Sequence, residues 1–436
     1  MKSLYLTLLF LAAISLAQAQ VQCDNDSTGN IPLTDLGAGT YLGEQGGLYP
    51  GGQNTMPSSH LKAGRKMARS IVPLDSLGNE DWVNGKVLFI GMGASTAGNT
   101  WNHFMEIFDT LSNVNPYLTL NNACLGAKGI EMMIDTTYNN WYWDDEIIPK
   151  LASKNSSQAQ VQVVWIKTAS KVDTIMEFPL HPSAIADKYE ILMGVLQAKF
   201  PNLKLVFITS SVYGGYADPI KTFYDVVSEP GSYWNGFGVK WAIERQILGD
   251  PDLKYKGGSK KAPFMGWGPY VWADGVNPSS KGLYWNCEED FADDGGGYHL
   301  TNGGKNKESN LLRDWALTDP IAKIFFVDGP KWNPVLREGS NASQSSIANN
   351  NILQQGLEIY PSPNHGNFYL QFALPVDGYS QLSIVNNLNQ TVWEKRIDNA
   401  IASNGIPIDI SGMPTGLYVA VVTINGQLFT TKFLLN

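Results

Sequence analysis

Five apolar runs between Lys86 and Phe326, separated by segments with helical spacing, constrain most of what this chain can fold into. The first is "KVLFIGMG". After it Trp101, Phe104, Met105, Phe108 and Leu111 recur at the three- and four-residue intervals of a buried helix face. "YLTLNNACLG", "VQVVWIKTAS", "LKLVFITSSVYGG" and "APFMGWGPYVWA" read as the remaining strands. Tyr189, Leu192, Met193 and Leu196 mark a helix, as do "GFGVKWAIERQIL" and the closing "KESNLLRDWAL". A strand that is apolar at consecutive positions has to be covered on both faces, and intervening helices supply that cover. The expected fold class is α/β, a three-layer sandwich with a central parallel sheet, over residues 81–327.

The pattern changes after that. Residues 328–356 are rich in Ser, Asn and Gln and read as a linker. Residues 357–436 hold short strand-like runs punctuated by Gly, Pro and Asn-Gly turns, the pattern of a small antiparallel β-sandwich. A length of 436 residues suits one large domain and a smaller one. Residues 20–80 are glycine-rich and irregular; sequence leaves open whether they form a separate element or wrap the main domain.

The first residues, "MKSLYLTLLFLAAISLAQAQ", combine a positive start at Lys2, an apolar stretch from Leu4 to Leu16 and a small-x-small site at Ala17-Gln18-Ala19. This is a secretory signal peptide over residues 1–19, because the apolar run is too short to span a bilayer. Gln22 before Cys23 does not fit a lipoprotein cleavage box. In an oxidising compartment the three cysteines, Cys23, Cys124 and Cys287, allow at most one disulfide, and sequence does not say which pair, if any, is bonded; three isolated thiols fit equally well. A net charge of −9 repels nucleic-acid phosphates, so DNA and RNA are discounted as partners. No Cys/His cluster has zinc spacing.

The C-terminal module carries a specific resemblance. Tyr360, Pro361, Pro363, Gly366 and Phe368 open it, and Gly416, Tyr418 and Lys432 close it. At these positions it resembles the C-terminal sorting domain of type IX secretion substrates. The resemblance implies passage across an outer membrane on the type IX machinery, then release or surface attachment. His365 lies in a turn there and needs no functional role.

Four stretches of the large domain resemble the SGNH, or GDSL-like, esterases and lipases. In "GMGASTAG" Ser95 stands at the family's nucleophile, with Ala94 in place of the family's Asp. The competing reading is that Ser95 or Thr96 caps a helix. In "NNACLGAKGIEM" Gly126 or Gly129 matches the glycine whose N–H joins the oxyanion hole. In "QVQVVWIKTAS" the family's Asn is absent; Lys167 or Thr168 stands in as donor, or Lys167 snorkels from a strand end. In "DFADDGGGYHLTNGG" His299 matches the base, and Asp294 or Asp293 the carboxylate that orients it, at a spacing two residues longer than the family's if Asp294 is the counterpart.

The resemblance implies a Ser-His-Asp ester hydrolase that needs no metal or organic cofactor, acting on a small-molecule or polysaccharide ester. Its rival is a catalytically impaired scaffold that binds a glycan or another extracellular ligand. Tyr213, Tyr216, Tyr233, Trp234, Trp267, Tyr270 and Trp272 crowd the predicted strand ends, where aromatics either stack on sugars or fill the core and rim. A glycosidase pair between Glu229 and the Asp144-Asp145-Glu146 run is the least favoured alternative.

Overall fold

The structure is a computed structural model that describes residues 23–136, 141–171, 175–218, 227–292, 296–332, 357–360, 365–372, 380–386, 390–397, 406–424 and 427–436. The expected signal peptide, residues 1–19, and most of the expected linker, residues 328–356, lie outside the described residues. The chain divides into two compact units, Met1–Trp332 and Asn333–Asn436.

The first unit is built on five parallel strands: β1 (Val87–Gly93), β2 (Leu118–Asn122), β3 (Val161–Lys167), β4 (Leu205–Ile208) and β5 (Phe264–Trp267). Their order is β2-β1-β3-β4-β5. Consecutive residues of one strand feed opposite faces. Leu88, Ile90 and Met92 of β1 join one apolar cluster, whereas Val87 and Phe89 join the other. That double coverage is why β1 contains no polar residue and is buried throughout.

Two groups of helices supply the cover. On the first face lie α4 (Leu180–Lys199) and α5 (Gly231–Leu248), which contribute Tyr189, Leu192, Phe237 and Ile243. The second face is covered by α1 (Ser58–Arg69), α2 (Ser95–Phe108), α7 (Asn302–Thr318) and α8 (Ala322–Phe326). Two short helices, α3 (Ile130–Ile134) and α6 (Cys287–Asp290), lie nearer the strand ends. Strand order reverses direction between β1 and β3. In open α/β sheets a crevice forms at that point, outside the carboxyl ends of the strands.

Residues 23–57 form no layer of their own and wrap the α/β unit, which answers the question that sequence leaves open. Aromatic side chains from the far half of the chain fasten them. Tyr213 Oη donates to the Asn25 carbonyl at 2.6 Å and Tyr233 Oη to that of Ile31 at 2.7 Å. Trp267 Nε1 donates to the Leu48 carbonyl at 2.8 Å. Asp274 accepts from Ser27 Oγ at 2.5 Å and from the Thr28 and Gly29 amides at 2.7 and 3.1 Å. A Cys23–Cys287 disulfide completes the strap, leaving Cys124 as a buried thiol.

The second unit has two antiparallel sheets. One joins β6 (Leu357–Tyr360), β7 (Asn367–Phe372) and β10 (Ile406–Asp409) in the order β10-β7-β6. The other joins β8 (Ser380–Val385), β9 (Thr391–Ile397), β11 (Gly416–Ile424) and β12 (Gln427–Leu435) in the order β9-β8-β11-β12. Phe368, Leu370 and Ile408 of the first sheet pack with Leu382, Tyr418, Val422 and Phe433 of the second. The expected class, an α/β sandwich on a parallel sheet with a small antiparallel sandwich after it, is the architecture observed. Among the described residues no helix is long and apolar enough to cross a membrane.

Candidate active site

β1 ends on Gly93, which has φ +146°, a conformation L side chains rarely adopt. A Cβ there would lie 2.1 Å from the Lys167 carbonyl, so the close approach of β1 and β3 at the crevice also requires glycine. The chain then turns sharply into α2. Ala94, extended at φ −86° and ψ −161°, occupies the N-cap and has no side-chain acceptor. Ser95 is the first helical residue. Neither Ser95 nor Thr96 caps the helix, so the capping reading does not hold.

The Ser95 hydroxyl points across the crevice instead. Its Oγ lies 2.9 Å from His299 Nε2, although the two residues are separated by 204 positions. Both side chains are half-buried. His299 sits in a loop closed at its base by the bridge between Phe291 and Leu300 and by the Ala292 amide donating to the His299 carbonyl at 2.8 Å. The loop rests on the segment that follows β4. The Asp218 amide donates to the Gly296 carbonyl at 3.0 Å. Gly297, at φ +64°, approaches so closely that a Cβ would meet the Tyr216 carbonyl at 2.1 Å. The Tyr298 ring lies 4.4 Å from the imidazole, centroid to centroid. Asp293 and Asp294, the expected orienting carboxylates, lie outside the described residues.

A small cavity of about 60 Å³ opens beside Ser95, lined by Ala94, Thr96, Gly129, Thr168, Ser211 and Tyr298 among others. Thr168 follows β3 directly and is buried. Its carbonyl accepts from Tyr189 Oη and Asn235 Nδ2, while its Oγ1 is buried with no hydrogen-bond partner. Gly129 caps α3 beside Ala169, whose carbonyl accepts from the Ile130 amide at 3.1 Å. Gly126 is exposed and is not part of the cavity lining.

Lys167 belongs to the same cavity lining, and its burial overturns the snorkelling expectation. It is 4 % exposed, and its Nζ lies 2.6 Å from both carboxylate oxygens of Glu308, itself 1 % exposed. Burial of an ammonium and a carboxylate is tolerable only when they are paired in this way. Thr100 Oγ1 donates to the same carboxylate at 2.7 Å. The network ties α2, β3 and α7 together directly behind Ser95 and His299. Sequence reading passed over Glu308, yet a signal existed. Glu308, Leu312 and Ala316 recur every fourth residue on the buried face of α7, where an acidic residue needs a buried cation.

The aromatic cluster is core and strap anchor rather than open platform. Tyr213, Tyr216, Tyr233 and Trp272 are at most 1 % exposed; among the cluster only Tyr270 is half-buried. Glu229 accepts from the Gly214 amide at 2.9 Å, Trp272 Nε1 at 2.9 Å and the Tyr233 amide at 3.1 Å. Burial pushes its carboxyl up to about 7 against those hydrogen bonds. Asp144 is exposed and pairs with Lys199 at 3.1 Å. The carboxylates of Glu190, Asp250 and Asp252 lie within 4.8 Å of one another, but Arg245 and Lys261 pair with the first and last.

Comparison with known proteins separates the two units. No curated protein matches the chain. Among solved structures the chain is similar to an engineered protein at 8 % identity, covering 93 % of this chain and 98 % of that one, with a TM-score of 0.18. It is also similar to a Cellulomonas fimi endo-beta-1,4-mannanase double mutant at 10 % identity, covering 93 % and 99 %, with a TM-score of 0.17. A third is beta-glucosidase 3B from Thermotoga neapolitana in complex with glucose, at 11 % identity, covering 86 % and 53 %, with a TM-score of 0.14. TM-scores this low carry no argument. Residues 358–436 match the family described as the secretion system C-terminal sorting domain. The second unit is therefore a type IX sorting domain, which engages that secretion machinery and makes the chain an exported protein, secreted or held at the cell surface.

Proposed function

We propose that the α/β unit is a serine ester hydrolase of the SGNH kind. The reading rests on the 2.9 Å contact between Ser95 Oγ and His299 Nε2 at the carboxyl edge of the sheet. Nucleophile and base within hydrogen-bond reach is the arrangement acyl transfer needs. In this mechanism His299 Nε2 takes the hydroxyl proton as Ser95 Oγ attacks the ester carbonyl carbon. The imidazolium then protonates the departing alkoxide, leaving an acyl-Ser95. Water attacks that acyl group, giving a proton to His299, and the acid leaves as Ser95 is regenerated. Asp294 or Asp293 fixes the tautomer that leaves Nε2 unprotonated.

The oxyanion forms at the N-terminus of α2, where the Ser95 amide and the positive end of the helix favour negative charge. The Thr168 hydroxyl is the second donor, in place of the family's Asn. A buried hydroxyl without a partner costs stability, and a developing oxyanion at that cavity gives it an acceptor. Gly129, in the cavity lining, is favoured over Gly126 as the third donor. No residue of this scheme calls for a metal or cofactor.

The mature protein is expected to hydrolyse p-nitrophenyl acetate, and a fluorophosphonate probe is expected to label Ser95, located by peptide mass spectrometry. Ser95→Ala should abolish both. Equal hydrolysis by wild type and variant, with labelling elsewhere, would sink the proposal. The rival reading, a scaffold that binds without turnover, draws on one observation: the position of the family's Asn side-chain donor is held by Lys167, whose ammonium is engaged by Glu308.

A further inference from the structure

A second and much larger cavity opens at the same carboxyl edge, beside the end strand β5. Its volume is about 640 Å³, within the range of about 300–1000 Å³ usual for small-molecule sites. Three parts of the chain form its walls: the N-terminal strap, the segment after β5, and the outer side of α7. The helix starts three residues after His299, and its groove residues begin at Lys307. At about 1.5 Å of rise per residue, these residues extend roughly 10–20 Å along the helix from the imidazole. Ester chemistry at Ser95 does not use them.

The lining combines ring faces with short polar groups. Tyr284 is 40 % exposed and yet fixed. Lys307 Nζ lies 4.4 Å over its ring and donates to its carbonyl at 3.0 Å, while also pairing with Asp290. Tyr270 is half-buried, its hydroxyl accepting from the Leu33 amide. Trp315 packs edge-on against Phe207, and its Nε1–H is buried without an acceptor. Asn54, Ser279 and Asn310 add amide and hydroxyl groups. Of the lining charges Lys307 is paired with Asp290 and Asp314 with Arg313, which leaves Lys281 balanced against Asp319.

We infer that this groove binds a neutral glycan. Balanced charge selects against both anionic and cationic ligands. With Lys307 over one face of the Tyr284 ring, its opposite face beside amide and hydroxyl groups fits a molecule with an apolar C–H face and a hydroxyl rim, which describes a pyranose ring. The site stands independently of hydrolysis at Ser95.

Native gels cast with soluble xylan, glucomannan or mixed-linkage β-glucan test the inference, with polygalacturonate as the charged control. The mature full chain should be retarded in at least one neutral gel. Tyr284→Ala should weaken the apparent affinity at least about tenfold. Ser95→Ala should run as wild type. Thermal melting of each variant checks that it is folded, and the exposed Tyr284 makes its variant the least disruptive. Retardation in none of the neutral gels overturns the inference, as does retardation by polygalacturonate alone or retardation that Tyr284→Ala leaves unchanged.

Discussion

Lys167 Nζ lies 2.6 Å from each carboxylate oxygen of Glu308, and both side chains are shut away from water. The pair joins the end of β3 to the middle of α7. Removing one partner leaves an uncompensated buried charge, at about 3–5 kcal/mol. Glu308→Gln is therefore expected to lower the melting temperature by on the order of 10 °C, read by calorimetry or circular dichroism. Lys167→Met combined with Glu308→Leu should recover much of that loss, because no charge then remains unpaired.

Thr168 gives a test in which activity and stability move apart. If its hydroxyl serves the oxyanion, Thr168→Val should lower kcat by about a hundredfold. The same change removes a buried hydroxyl with no partner, so the melting temperature should hold or rise. Thr168→Ser should retain most activity. A Thr168→Val variant as active as wild type would remove this residue from the mechanism.

The thiols separate cleanly. Burial pushes the Cys124 thiol up to about 12, so it should resist alkylation in the folded chain. A thiol assay should count one group, and only after denaturation. Non-reducing peptide mapping should recover Cys23 linked to Cys287. Cys23→Ser should cost about 2–5 kcal/mol of stability.

Glu229 sets a pH trend. Its carboxyl is raised from 4.5 to about 7 in the folded chain, chiefly by burial. Between those values the native state holds a proton that the unfolded state has released. The contribution is fully present below about 4.5 and is lost as pH rises through about 7. Melting temperatures measured from pH 4 to 8 should show a fall in wild type over that window that is shallower in Glu229→Gln. Parallel curves would refute the assignment.

The sheet was legible because its strands are apolar at consecutive positions, as β1 and β3 are, and that pattern has few other solutions. The sorting module was legible from spaced positions such as Gly366, Phe368 and Tyr418. Gly93 and Ser95 together announced a sharp turn out of a strand. The partner of Lys167 was not legible, because a strand-end lysine looks the same whether it reaches solvent or a carboxylate 141 residues away. The aromatic cluster was legible only as a choice between sugar platform and core or rim; most of these rings are buried and fasten the N-terminal strap, a partner that strand-end position alone does not reveal. Tyr284, which is exposed, drew no attention because its significance comes from the groove around it.

The strap also dictates an order of events. It precedes its partners Tyr213 and Asp274 by 188 and 247 residues. Contacts of such long range close slowly and late. The Cys23–Cys287 bond, which closes over 264 residues, therefore forms only after most of the first unit has been made.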